Sequence, residues 1–332
     1  MLFFITLILG TLITVSSNSW LRAWIGLEIN LLSFIPLIID NKNLISSEAA
    51  IKYFLVQVIT SSILLIIIIY YILSININII MYNNISNLLI ISTLILKIGI
   101  APFHFWFPII IEGINWSNSL ILLTWQKIAP LILLSYIILE NIIIPIIIIS
   151  IIISSIGGIN QTSLRKIIAF SSINHLSWMT ASIILSKTIW INYLLFYFFL
   201  SLTLIIFFYY NKLYYITQLY SIFNYSNEIK LILFLNFLSL GGLPPFLGFF
   251  SKWIVIELLS NNQLLLISLI VIITLLTLYF YIRLCYSSFI LNYYETKWNN
   301  FFIINNFHYL YLFISFFSIF GLILYNFLFF IV

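Results

Sequence analysis

Long apolar segments separated by short polar connections run through the whole chain. A helix needs about 20 apolar residues to cross a bilayer, and segments such as 50–74 and 264–291 reach that length. Because helices satisfy their own backbone hydrogen bonds inside lipid, the sequence predicts an all-α polytopic membrane protein. Counting the segments between polar clusters gives about eleven spans, at roughly 1–16, 21–39, 50–74, 86–111, 117–139, 141–160, 166–186, 190–211, 229–259, 264–291 and 309–331.

The scarcity of charge supports a membrane location. Charged residues make up 6% of the chain, whereas a soluble domain carries about 25%, so this chain could not cover its surface with polar groups in water. The 13 basic and 8 acidic residues are spread along the chain, and no basic block indicates binding to nucleic acid. The first apolar run precedes the first charged residue, Arg22, so we interpret it as a span and not as a cleaved signal peptide.

Two of the predicted spans, 86–111 and 229–259, are interrupted by helix-breaking residues. The first contains LKIGIAPFHFWFP (96–108) and the second NFLSLGGLPPFLGFFSKWIVIE (236–257), and the glycines and prolines in both oppose a continuous helix. As the fourth and ninth spans, they cross the membrane in opposite directions. This favours two inverted repeats with an ion or substrate path near the midplane, although proline kinks also serve packing alone in membrane helices.

The predicted architecture is a single transmembrane bundle over residues 1–332. Repeat one covers about 1–139, repeat two covers about 141–291, and each five-helix repeat has one broken helix. An extra C-terminal helix is expected at about 309–331.

Loop cations orient this bundle, because positively charged loops stay on the cytoplasmic or matrix side. The loops on the N-terminal side hold seven cations and those on the opposite side hold two: Lys42, Lys52, Arg165, Lys166, Lys212, Lys230 and Lys297 against Arg22 and Lys187. The N-terminus is therefore predicted on the matrix or cytoplasmic side, and the C-terminus on the other.

A few ionisable residues fall within the spans instead of the loops. They are Glu28, Lys97, Lys127 and Lys252, with His104 and His175 within or beside spans. A charge at the centre of a membrane helix costs about 2.5–3.5 kcal/mol, so four cost on the order of 10 kcal/mol before pairing, and a functional role is the first hypothesis.

The lysines suit proton transfer. Burial favours the neutral form of a lysine and an opposite charge favours the ammonium, so a buried lysine whose partner moves can release its proton near neutral pH. Glu28 and Lys97 are candidates for such an ion pair. Arginine would not serve, because it stays protonated.

More ordinary roles remain open for several of these residues. Lys127, beside Trp125 and Gln126, and Lys252, near a span end, are alternatively snorkelling residues at the membrane surface. His104 and His175 are alternatively hydrogen-bonded structural histidines.

Motifs for redox cofactors are missing from the sequence. There is no CxxC, GxGxxG or P-loop, and the three histidines do not pair as haem ligands would. The single cysteine, Cys285, cannot form an intrachain disulfide. No haem, iron–sulfur cluster, nucleotide or flavin site is therefore expected in this chain.

Five motifs together resemble one known family. They are NSWLRAWIGLEINLLSFIPLI, LKIGIAPFHFWFP, LTWQKIAPL, GGINQTSLRKIIAFSSINHLSWM and FLSLGGLPPFLGFFSKW, in this order over almost the whole chain. The chain is similar to the antiporter-like membrane subunits of mitochondrial NADH–ubiquinone oxidoreductase, respiratory complex I, in the shortened animal form that lacks three N-terminal helices.

The resemblance implies a proton-translocating subunit in the mitochondrial inner membrane. The family's relay positions match Glu28, Lys97, Lys127 and Lys252, with Lys252 near the exit to the intermembrane space and His104 and His175 as further candidates. NADH, FMN, iron–sulfur clusters and ubiquinone would belong to partner subunits, so no cofactor is expected here. The implied partners are the other complex I membrane subunits and lipids, with no nucleic acid.

Two other functions remain as alternatives. A self-standing cation/proton antiporter shares the broken-helix plan, but it needs a cation site rich in carboxylates, and only Glu28 is clearly predicted to be buried. A structural spacer with inert lysines would keep its function when Lys97 is replaced.

Overall fold

The computed structural model describes residues 1–40, 43–76, 80–223, 227–261, 263–290 and 311–321. Lys42, Lys297 and parts of the predicted C-terminal helix lie outside these ranges. Within them the regular structure is helical, apart from one isolated β-bridge between Ser163 and Tyr215. The predicted all-α class is confirmed.

Fifteen helices are described. They are α1 Leu2–Val15, α2 Trp20–Ile38, α3 Leu44–Asn76, α4 Ile80–Ile98, α5 Trp106–Gly113, α6 Trp116–Leu123, α7 Trp125–Tyr136, α8 Glu140–Ile159, α9 Leu164–Leu185, α10 Lys187–Tyr210, α11 Ile216–Phe223, α12 Asn227–Gly241, α13 Leu247–Ser260, α14 Leu264–Ile290 and α15 Tyr311–Gly321. By length and composition, seven of the described spans could cross a membrane as single helices: α2, α3, α6 with α7, α8, α9, α10 and α14.

The helices form two compact units, Met1–Ser150 and Ile151–Val332. In the first unit α1 packs on α2, α2 on α3, and α3 on both α4 and α5. Two glycines allow the α1–α2 contact: a Cβ added at Gly10 would lie 2.9 Å from the backbone nitrogen of Asn30, and one at Gly26 would lie 2.8 Å from that of Thr14. Small residues permit this close backbone approach in membrane helices.

In the second unit α9 is the central helix. Of its apolar window 89% is buried, and it packs against α10 and α13. Its polar side chains, including Asn174 and His175, are buried as well. Polar groups inside a membrane protein face protein and not hydrocarbon, so α9 is where a polar interior is expected.

Both predicted interruptions are present and have the same local geometry. α4 ends before Gly99 (φ 81°) and α12 ends before Gly242 (φ 79°), each glycine in the left-handed region. This conformation suits glycine and is a common way to end a helix.

The hydrogen bonds around the two breaks also correspond. In each, one carbonyl accepts from the left-handed glycine and from the next residue: Ile95 O from Gly99 N (3.0 Å) and Ile100 N (3.3 Å), and Leu238 O from Gly242 N (3.0 Å) and Leu243 N (3.3 Å). The chain then turns through Phe103 N to Ile100 O, or Phe246 N to Leu243 O, at 3.0 Å in both cases. Equivalent residues are 143 positions apart, as the numbers of Gly99 and Gly242 show.

A third interruption and one short helix were not predicted. The span 117–139 is divided at Thr124, whose hydroxyl donates to Leu120 O at 2.6 Å. Such a bond from threonine to the carbonyl four residues earlier bends helices. The segment between α10 and α12, interpreted from the sequence as a connection, contains α11.

Candidate functional site

Lys97 lies in the last turn of α4, beside the first break. Its side chain is buried, with 7% exposed. Carbonyls at a helix end have no partner within the helix, and here Trp106 Nε1 donates to Leu96 O (3.2 Å) and Gln57 Nε2 donates to Lys97 O (3.3 Å). The carbonyl end of a helix also favours a positive charge. The break therefore supplies an electrostatically suitable position for an ammonium group.

Lys97 shares a cavity with Lys127. The cavity has a volume of about 30 Å³ and its lining includes both lysines with the polar residues Asn30, Gln57 and Gln126. One water molecule needs roughly 10–15 Å³ by this kind of measure. The space is therefore sufficient for a water or two between side chains that can donate and accept hydrogen bonds.

Lys127 is held inside the protein and does not reach the membrane surface. It is 3% exposed, and its Nζ lies 4.9 Å from the centre of the Phe107 ring. A cation over an aromatic face is attracted by the ring. The neighbouring Gln126 donates from Nε2 to Asn30 Oδ1 at 3.0 Å, which joins α7 to α2. The snorkelling alternative for Lys127 does not fit this position.

Glu28 acts on Lys97 without touching it. Glu28 is partly buried on α2, one residue from the cavity-lining Leu27, and its charge interacts electrostatically with Lys97. Among the residues that the structure describes, the only carboxylate and cation in direct contact are Glu48 and Lys52, at 2.6 Å. The contact ion pair expected between Glu28 and Lys97 is therefore not formed.

Lys252 is bound to the second break. Its Nζ donates to Gly241 O at 2.7 Å and lies 6.0 Å from the centre of the Trp178 ring. Gly241 is the last residue of α12, so this ammonium also sits at the carbonyl end of a half-helix. With 6% of its surface exposed, Lys252 is a buried group and not a snorkelling one.

His175 belongs to a hydroxyl cluster that sequence reasoning missed. Its Nδ1 lies 3.0 Å from the Tyr193 hydroxyl, and its ring lies 5.0 Å from that of Tyr197 between ring centres. Tyr193 interacts with the side chain of Ser251, the residue before Lys252. Three polar residues at helical spacing on α10, Tyr193, Tyr197 and Ser201, are all buried. That spacing of four residues within an apolar run was the available signal.

His104 lies in the break itself, between α4 and α5. It is 6% exposed, and its ring centre is 4.3 Å from that of Phe105. Its Nδ1 has no hydrogen-bond partner among the described residues, and it does not line the cavity of Lys97 and Lys127. The structure therefore brings together Lys97 and Lys127 in the first unit, and His175 with the residue next to Lys252 in the second, and leaves His104 apart.

Comparison with known proteins shows similarity over nearly the whole chain. Residues 17–277 match the family described as NADH:quinone oxidoreductase/Mrp antiporter, TM. NADH-ubiquinone oxidoreductase chain 2 of Anopheles gambiae is 52% identical over 305 residues, which cover 90% of this chain and 89% of that one.

Solved structures share the fold at low sequence identity. A chain of respiratory complex I from Thermus thermophilus with bound aureothin superposes with a TM-score of 0.83 at 19% identity, over 96% of this chain and 78% of that one. A chain of the Mrp complex from Dietzia sp. superposes with a TM-score of 0.72 at 16% identity, over 86% of this chain and 59% of that one.

Proposed function

This chain belongs to the NADH:quinone oxidoreductase/Mrp antiporter transmembrane family, and from that membership we propose that it is a proton-translocating, antiporter-like subunit of respiratory complex I. It is a multi-pass protein of the mitochondrial inner membrane, as its relatives' names imply. Electron transfer from NADH to ubiquinone takes place in other subunits, which hold the FMN and iron–sulfur clusters. This chain contributes to the enzyme without a redox centre of its own.

The single observation that carries this proposal is the cavity shared by Lys97 and Lys127. Two buried ammonium groups beside a space for water can exchange a proton through a hydrogen-bonded molecule. Glu28 supplies the charge that favours protonated Lys97, and Lys252 with His175 forms the second part of the proposed relay. Moving one charge against 100 mV costs about 2.3 kcal/mol, which is within the range of changing one buried charge interaction.

We further propose eleven spans arranged as two inverted repeats and a C-terminal helix. The corresponding hydrogen bonds at Gly99 and Gly242 support the repeats. The seven full-length helices are joined by α1, by α4 with α5, by α12 with α13, and by α15. Repeat one would cover 1–139, repeat two 141–291, and the C-terminal helix 309–331.

The orientation proposed from loop charges places the N-terminus in the matrix. Support comes from the second unit, where the loops before α9 and after α10 meet. Leu164 N donates to Tyr214 O (2.9 Å) and Ile216 N donates to Thr162 O (3.1 Å). Arg283, near the end of α14, donates to Ile159 O at 3.0 Å. Three segments that the topology assigns to one side of the membrane are thus in contact.

Replacing Lys127 by methionine tests the proposal. Methionine keeps the volume of the side chain but cannot carry a proton, so we expect complex I with Lys127→Met to move protons at least tenfold more slowly. Proton transfer and NADH oxidation would be measured together in proteoliposomes. Lys52→Met is the matched control, because Lys52 is half exposed and pairs with Glu48 near the start of α3. Equal proton transfer in the two variants would contradict the relay, and a requirement for Na⁺ in place of protons would favour the antiporter alternative.

A second prediction concerns the Tyr193 hydroxyl. Tyr193→Phe removes only the oxygen that lies 3.0 Å from His175 Nδ1, so we expect assembled complex with proton transfer reduced several-fold. Tyr209→Phe on the same helix is the control, because Tyr209 is 51% exposed. If both variants pump at the normal rate, the hydroxyl cluster takes no part in proton transfer.

A further inference from the structure

A pocket in the second unit takes no part in the proposed proton path. It has a volume of about 520 Å³ and lies where the loop between α8 and α9, the start of α11 and the end of α14 come together. Its polar lining comes from Asn160, Gln161, Thr162, Thr217 and Arg283. The remaining walls include apolar residues such as Phe280 and Leu284. A pocket with one polar end and one apolar side suits an amphipathic ligand.

Backbone and side-chain contacts hold the walls of this pocket in place. The isolated bridge between Ser163 and Tyr215 joins the loop before α9 to the segment that leads into α11. On the other wall, Arg283 Nη1 donates to Ile159 O at 3.0 Å, and Gln161 Nε2 donates to Gly157 O at 3.1 Å. The guanidinium is therefore fixed at the pocket rim by the backbone of α8.

The charge of the pocket indicates an anionic ligand. Arg283 is a cation in its lining, and no carboxylate occurs among its described lining residues. Arg165 lies close by, over the ring of Tyr214 at 4.7 Å, and Tyr214 adjoins the lining residue Tyr215. A planar guanidinium matches the geometry of phosphate oxygens, and basic pockets between membrane helices bind anionic head groups.

An exposed apolar stripe runs along α14 from Arg283. Ile272, Leu276 and Tyr279 are 62%, 43% and 56% exposed, and with Arg283 they are spaced at four, three and four residues, which places them on one face of a helix. A phosphate held by Arg283 would have apolar surface for an acyl chain beside it. A free phosphate ion would have no use for that surface.

We propose that this pocket binds the head group of an anionic glycerophospholipid, with the phosphate at Arg283 and an acyl chain along the exposed stripe of α14. The site does not depend on the proposed proton relay, since it shares none of the relay residues. It would fix the contact between the loop before α9, α11 and α14 at the membrane surface.

Photo-crosslinking in the intact complex tests this site. Purified complex I is incubated with phosphatidylglycerol that carries a diazirine on one acyl chain, and labelled peptides are mapped by mass spectrometry. We expect labelling of α14 between residues 271 and 284, reduced roughly fivefold in Arg283→Gln, because one cation near an anionic lipid contributes about that factor. Arg283→Lys should retain most of the labelling, and unchanged NADH:ubiquinone activity would show that the variants are assembled.

A matched arginine variant and a neutral lipid probe distinguish a specific anionic-lipid site from general lipid contact. Arg22→Gln makes the same change at an exposed arginine in the first unit that does not line this pocket, and it should leave labelling of α14 unchanged. Equal labelling by a phosphatidylcholine probe, or by both probes in Arg283→Gln, would reduce the site to general lipid contact and overturn the proposal. Loss of labelling in millimolar inorganic phosphate would assign the pocket to a free anion, and no labelling of the wild type would show that another subunit covers it.

Discussion

Complex I that contains Lys97→Ala is expected to lose proton transfer through this subunit, with a rate at least tenfold below that of the wild type. The variant removes one of the two ammonium groups that line the cavity of about 30 Å³. Glu28 would then have no cation to act on at this position. NADH oxidation and proton uptake would be recorded in the same proteoliposomes, so that slower pumping can be distinguished from slower electron transfer.

Lys97→Arg separates a proton carrier from a fixed charge. Arginine keeps the positive charge at the carbonyl end of α4 but does not release a proton in proteins, so we expect it to fail nearly as completely as alanine. A structural role for the charge predicts instead that arginine restores function. Wild-type proton transfer in Lys97→Arg would therefore rule out proton release from Lys97, and normal transfer in Lys97→Ala would support the inert spacer.

Gly242→Ala is expected to damage the second break, whereas Gly241→Ala should be tolerated. A Cβ at Gly242 would lie 2.8 Å from Cδ and 2.9 Å from Nζ of Lys252, and the residue has φ of 79°. The left-handed conformation alone costs a residue with a Cβ about 1–2 kcal/mol. The added methyl group would also push the ammonium from Gly241 O, so both stability and proton transfer should fall.

The neighbouring glycine provides a matched control for this experiment. A Cβ at Gly241 would meet its nearest atom, Cδ2 of Tyr281, at 3.6 Å, which is an ordinary contact. Gly241 also has no positive φ. Thermal unfolding and proton transfer of the two variants would be compared in assembled complex. Similar losses in both would mean that position 242 has no special part in holding Lys252.

The breaks in α4 and α12 could be predicted from the sequence because their cause is local. Gly99 and Gly242 adopt conformations that few other residues tolerate, and prolines follow within a few positions. The interruption at Thr124 was not predicted, because threonine occurs in many continuous helices and only its bond to Leu120 O marks the bend. The short helix α11 was missed because a helix of eight residues gives too little periodic pattern.

The chemical candidates could be identified from the sequence, but their neighbours could not. Lys97, Lys127 and Lys252 stood out because charge is costly in an apolar segment. That Lys97 and Lys127 line one cavity depends on how α4 and α7 pack. The cluster of His175 and Tyr193 depends likewise on the contact of α9 with α10, and the expected pair of Glu28 and Lys97 shows that two plausible partners in sequence need not touch.

The sequence by itself determined the helical class, the membrane setting and the positions of the two breaks, because segment length, scarcity of charge and glycine conformation act over a few residues or over composition. The tertiary structure alone decided which buried groups meet: Lys97 with Lys127 at one cavity, Lys252 with the end of α12, and His175 with Tyr193. The physical reason is that such contacts depend on the rotation and spacing of packed helices. An apolar segment is compatible with many of these arrangements, and only the packing of side chains from distant segments selects one.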